Sequence, residues 1–140
     1  MPTSALTRVA ALAVGLEAAA VLAVAVWQIV ALAGGDTDSA VSAIALLVLT
    51  VLGAVAVGAF AFGVWRGLSW GRSGGLVTQL LIIAVAVGAM TGAEAHPLVG
   101  VAIAALPVAV FILLIVVTRR AAAEKAAAEK GAAEKDDAAR

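Results

Sequence analysis

Trp65-Arg66-Gly67-Leu68-Ser69-Trp70-Gly71-Arg72-Ser73-Gly74-Gly75 is the one interior break in this chain that carries positive charge. Two long apolar runs precede it and two follow it. Its glycines suit a flexible turn, and its arginines and tryptophans suit the water-facing edge of a bilayer, where basic and amphipathic aromatic side chains collect. The stretch therefore reads as a basic turn at the centre of an all-α protein with four transmembrane helices in a bundle.

Composition supports that reading. Of 140 residues, 64% are hydrophobic and 13% charged, and the mean hydropathy is +1.15, well beyond the range of soluble domains. Ala, Val and Leu dominate, with no Tyr and three Phe, which favours helices joined by short turns over the alternating pattern of a membrane β-barrel. The absence of cysteine excludes disulfides, thiol redox chemistry and thiolate metal sites. Charge is balanced overall, and no basic patch exceeds the Arg119-Arg120 pair, so nothing resembles a nucleic-acid-binding field.

Working outward from the turn, the expected spans are 9–33, 40–65, 76–93 and 97–118. Together they form a transmembrane domain over residues 1–118, followed by a charged tail over 119–140. The first run is interrupted only by Glu17 and Gln28. It would reach roughly 37 Å at ~1.5 Å per residue, enough to cross a ~30 Å hydrocarbon core with tilt, and it is too long for a cleaved signal segment. Gly34 to Ser39 forms an acidic turn in which Asp38 or Ser39 can cap the second helix. In that helix Ser42 and Thr50 can bond back to their own backbone carbonyls. Glu94-Ala95-His96-Pro97 separates the last two runs. Pro107 removes one backbone hydrogen bond within the fourth, where a kink is expected.

The basic residues set the expected orientation. Arg8, the Arg66/Arg72 turn and Arg119/Arg120 all fall on one side of a four-span protein, whereas the turns with Asp36/Asp38 and Glu94 contain no Lys or Arg. By the positive-inside rule both termini are expected in the cytoplasm and the protein in the cytoplasmic membrane. Trp65 and Trp70 suit the inner interface and Trp27 the outer one.

The tail repeats Ala-Ala-Ala-Glu-Lys and then Gly-Ala-Ala-Glu-Lys. A period of five winds the charges around a helix of ~3.6 residues per turn instead of gathering them on one face. A solvated Ala/Glu/Lys helix results, with i,i+4 pairs Lys125–Glu129 and Lys130–Glu134 and with fraying expected beyond Gly131. The pattern resembles a semi-rigid helical spacer.

Few residues could carry chemistry. Glu17 lies about 13 Å along the helix from Arg8, near the bilayer midplane, where a carboxylate must be neutral, paired or beside water. Gln28, eleven positions on, shares its face together with Ala13, Ala20, Val21 and Val24. One reading makes Glu17 a proton- or cation-binding carboxylate. The other makes it a packing residue, hydrogen-bonded to Thr50 or Gln79 or docked on a partner subunit. Glu94 and His96 could ligate a metal, but two ligands in a loop make a weak site, so no metal or other cofactor is expected. The pairs Ala54/Gly58, Ala59/Gly63 and Gly88/Gly92 permit close helix contacts. No nucleophile, base and orienting acid can be assembled, and no enzyme is read here.

Trp65-Arg66-Gly67, Trp70-Gly71-Arg72-Ser73 and Leu76-Val77-Thr78-Gln79-Leu80-Leu81 resemble small four-span integral membrane proteins of high-GC actinobacteria. That likeness covers the middle and last two helices and implies topology and lineage, with no catalytic residue. A likeness of layout to small multidrug resistance transporters, four-span dimers with a proton-coupled glutamate in the first helix, would give Glu17 that role. The aromatic residues lining such a drug site are missing here. The leading expectation is a non-enzymatic accessory or interaction protein that packs against other membrane helices in the lipid bilayer. A small proton-coupled transporter is the alternative.

Overall fold

The computed structural model describes residues 5–35, 39–91 and 97–138. They form four helices: α1 (Ala5–Gly34), α2 (Ala40–Trp65), α3 (Ser69–Thr91) and α4 (Pro97–Ala138). Each is long and apolar enough to cross a membrane. Hydrocarbon offers no water to the backbone, so even Val-rich segments such as Val108–Val117 take the one local structure that satisfies every amide internally. Intrinsic propensity decides little there.

The helices pack in chain order around a ring, α1 on α2, α2 on α3, α3 on α4 and α4 on α1, which leaves α1 and α3 on a diagonal. Close approaches between small residues set the antiparallel registers. A Cβ on Gly15 would lie 3.9 Å from that of Ala61, and one on Gly58 would lie 3.9 Å from that of Ala18. On the other side of the ring, Gly75 faces Leu114, and Gly100 faces Ala86 and Met90. Arg8, Arg66, Arg72 and Arg119 consequently share one end of the bundle, called here the basic end.

The connection between α2 and α3 is shorter than the eleven-residue break suggests. Gly67 has φ of +71°, and its N–H bonds Val64 O at 2.9 Å while Leu68 N–H bonds Gly63 O at 2.9 Å. This paired closure of a helix C-terminus on a left-handed glycine stops α2 at Trp65. Helix α3 begins at once at Ser69, ahead of the expected Leu76. Gly71, Gly74 and Gly75 are therefore helical, which corrects the expectation of a flexible turn. They serve contact: a Cβ on Gly63 would sit 2.8 Å from Gly71 Cα, and Gly74 lies against the ring of Phe60. Phe60 in turn meets Trp70 edge-on at 6.1 Å.

Two other local expectations can be compared directly. Ser39 caps α2, its side chain accepting the Ser42 N–H at 3.4 Å. Helix α4 runs without interruption through Pro107 and Gly131 to Ala138, so tail and fourth span form one continuous helix, and the fraying expected beyond Gly131 is not seen as far as Ala138. Alternating Ala, Glu and Lys offset the roughly 1 kcal/mol propensity loss at one glycine. Asp36, Asp38, Glu94 and His96 lie outside the described residues.

Packing is uneven along the bundle. A cluster of Ala10, Ala11, Val14, Val57, Ala61, Val64, Val110, Leu114 and Val117 fills the half nearer the basic end. In the other half the buried apolar side chains are small, Ala25, Ala54 and Ala86. Large exposed residues such as Leu16, Leu49 and Leu81 point outward toward lipid, as expected where lipid tails are as apolar as leucine and association relies on close fit.

That fit can be tested at the α2–α3 crossing. A Cβ at position 71 would fall 2.6 Å from Gly63 Cα, whereas one at position 53 meets nothing within 4 Å. Gly71→Ala should cost about 1–3 kcal/mol in mixed-micelle equilibrium unfolding followed by circular dichroism. Gly53→Ala should be neutral or add up to about 1 kcal/mol.

Candidate functional site

Positions 10, 14, 17, 21 and 28 recur at the spacing of one helix face, and in α1 that face points to the bundle axis. Ala10 and Val14 are fully buried and Glu17 is 6% exposed. From the opposite corner of the ring α3 brings Gln79, 0% exposed. Its Nε2 donates to Glu17 Oε2 at 2.5 Å. Glu17 lies twelve residues into α1 and Gln79 ten into α3, so at ~1.5 Å per residue the pair sits some 15–18 Å from the basic end, halfway across a bilayer. It joins the two helices that share no close backbone packing and crosses the middle of the bundle.

The remaining candidates divide. Thr50 Oγ1 donates to Leu46 O at 2.8 Å within its own helix, so it supplies no contact to Glu17. Thr78 Oγ1 bonds Gly74 O at 3.0 Å in the same manner. Gln28 is half-buried and its Oε1 is enclosed without a hydrogen-bond donor. Eleven residues past Glu17, it stands about 16 Å farther from the basic end, too far to touch the pair. Of the neighbours expected on the shared face, Val24 is 46% exposed and Ala20 is also exposed, so the face divides between bundle interior and lipid. No group of His, Cys, Asp or Glu capable of holding a metal occurs among the described residues.

The pair is chemically incomplete. Glu17 Oε1 and Gln79 Oε1 are both buried, and neither has a partner among the described residues. A further such atom, Thr118 Oγ1, lies at the basic end. Segments 40–65, 73–91 and 97–118 contain no Asp, Glu, His, Lys or Arg, and Arg8 and Arg72 lie in the first turns of α1 and α3, so Glu17 is the sole ionisable side chain at the middle depth of the bundle. It has no opposite charge to lean on. What the arrangement offers is a carboxyl group held by one amide donor, with two acceptor oxygens left over for a small donor such as water or for a proton.

From the sequence alone, Gln79 is one of two possible hydrogen-bonding partners of Glu17 within the chain, Thr50 being the other. Its pairing follows from depth: two polar side chains on inward faces of parallel neighbours-but-one, at similar distances from the basic end, must meet or remain unsatisfied. Replacing Gln79 with Leu should destabilise the protein by about 1 kcal/mol, the usual worth of an interhelical polar contact in a membrane. The double variant Glu17→Leu/Gln79→Leu should lose less than the sum of the two single changes. A double-mutant cycle read by mixed-micelle unfolding measures that coupling.

No protein-family model, curated protein or solved structure matches the chain. The resemblances to actinobacterial four-span proteins and to small multidrug resistance transporters thus rest on the sequence pattern alone. Four apolar helices identify a multi-pass integral membrane protein.

Proposed function

We propose that this protein is a non-enzymatic accessory or interaction subunit of the cytoplasmic membrane, oriented with both termini inside and presenting α4 as a contact arm. The observation that carries the reading is the length of that helix. Its 42 residues extend about 63 Å at ~1.5 Å per residue, twice the ~30 Å hydrocarbon thickness. Pro97 to Thr118 uses about half, and the Ala/Glu/Lys half projects into water at the basic end. Lys125 Nζ stands 3.8 Å from Glu129 Oε1 on its exposed surface.

The arm also has a shaped base. Between it and the α2–α3 turn lies an open groove of about 630 Å³ lined by Gly67, Arg72, Ala121, Glu124 and Lys125. Arg72 Nη1 donates to Gly67 O at 2.8 Å and holds one wall. A rigid charged helix with a groove at its root suits a protein that positions another protein at the membrane surface. Glu17, buried inside the bundle, then serves as an internal tie and lies outside the contact face.

Truncation after Arg120 separates these roles. Full-length protein purified from native membranes in mild detergent should carry a stoichiometric larger partner, seen by native mass. The truncated chain should keep its helicity and lose that partner. Retention of the partner by the truncated chain would remove the arm from the contact.

One observation favours a second reading. A lone buried carboxyl tied to an amide at mid-membrane suits proton coupling, since intramembrane acids are costly and mark ion or proton paths. A small proton-coupled transporter would lose proton-driven uptake in vesicles on Glu17→Gln while staying folded. Uptake equal to that of the unaltered chain would end that reading.

A further inference from the structure

We propose that Glu17 and Gln79 form a buried proton-and-water site that exchanges with one aqueous phase only, the phase opposite the basic end. The inference does not rest on the arm's role, and it stands whether or not a second solute moves through the protein.

The site is defined by its unsatisfied oxygens. Glu17 Oε1 and Gln79 Oε1 are enclosed without donors, on side chains 6% and 0% exposed. A buried acceptor left unpaired keeps the full cost of its lost hydration. A proton on the carboxyl group and a water molecule bonded to both residues meet that demand, because a buried water needs two to four polar partners. No competing charge is available. Segments 40–65 of α2, 73–91 of α3 and 97–118 of α4 hold no titratable side chain; Arg8 and Arg72 lie nine and seven residues away along α1 and α3, toward the basic end, and Gln79 donates the hydrogen bond that the carboxyl receives.

Sidedness comes from the uneven core. From the level of the pair to the basic end the buried cluster includes Val57 and Val110 beside the pair and Val14, Val64, Leu114 and Val117 beyond it. The buried hydroxyls on that side are those of Thr7 and of Thr78, the latter committed to Gly74 O at 3.0 Å, with Thr118 Oγ1 at the basic end itself; the Val/Leu cluster lies between that end and the pair. Toward the opposite end the buried apolar side chains are Ala25, Ala54 and Ala86, with Gly100 of α4 against Ala86 and the Met90 side chain. Beyond them, on the same face of α1 as Glu17, the half-buried Gln28 holds an enclosed oxygen that also lacks a donor. Small side chains give way to a water more readily than a Val/Leu plug, and Gln28 is a second polar station along that route. In the exchange step the carboxyl O–H bond breaks, its electron pair stays on Glu17, and the proton leaves on water toward Gln28; the reverse step restores it.

The test follows the carboxyl C=O infrared band of the full chain in lipid vesicles, with Glu17→Gln identifying the band by its loss. An affinity tag after Arg140 sorts vesicles into those with the arm outward and those with the arm inward. A pH jump is then applied outside with an impermeant buffer. The band should respond promptly in arm-inward vesicles and lag until the lumen equilibrates in arm-outward ones. Gln28→Leu should slow the prompt response about tenfold, with helicity unchanged. An equally fast response from arm-outward vesicles, or no titration from either side, would overturn the proposal, and an unaltered rate in Gln28→Leu would overturn the route through Gln28.

Discussion

Hydrocarbon gives a backbone amide no water to bond, and the whole architecture follows from that condition. Each crossing must close its hydrogen bonds within itself, so four crossings are four helices, and connections are confined to the two surfaces. The same condition removes the usual reason for a core to form. Leucine gains little by leaving lipid for protein, and cohesion falls to close fit and to the few polar contacts. Glycine and alanine then matter more than bulk. Gly63 against Gly71 and Gly74 against Phe60 bring α2 and α3 together, and Gly15 and Gly58 do so for α1 and α2.

Placed in that setting, one hydrogen bond has structural weight beyond its energy. Helices α1 and α3 lie across the ring from each other, each packed on α2 and α4, and the Gln79–Glu17 contact links them directly. It also fixes register, since sliding either helix by one turn would leave two polar groups unpaired at mid-membrane. Because the pair leaves two oxygens unsatisfied, a structural tie and a proton-binding group are compatible roles for the same residues. The buried apolar side chains are mainly Val and Leu between the pair and the basic end and Ala beyond it.

The arm belongs to a different physical regime. Past Thr118 the helix is charged and largely exposed, and a single helix of Ala, Glu and Lys persists through propensity and i,i+4 charge pairs rather than through burial. That it continues α4 without a break makes its direction a property of the membrane domain. A flexible tail would sample many positions around the basic end, whereas this one projects from a fixed base beside Arg72 and Gly67.

Period, hydropathy and charge placement are local properties, and they sufficed for the fold class and the count of four helices, and narrowed the α2 cap to Asp38 or Ser39, of which Ser39 accepts the Ser42 N–H. Each depends on a short window or on distance from a charged end. The sequence did not reveal that Gly71, Gly74 and Gly75 are helical, because a glycine-rich stretch reads alike whether its glycines bend a chain or admit a neighbour, and only the neighbour decides. Thr50 and Gln79 were equal candidates to meet Glu17. Tertiary structure separated them, since Thr50 can satisfy itself on Leu46 within one helix turn while the longer amide of Gln79 reaches the axis. The contrast between a Val/Leu-filled half and an Ala/Gly-lined half likewise arose only when residues far apart in the chain were brought to one depth. Composition along a single helix carries no record of what the other three place beside it.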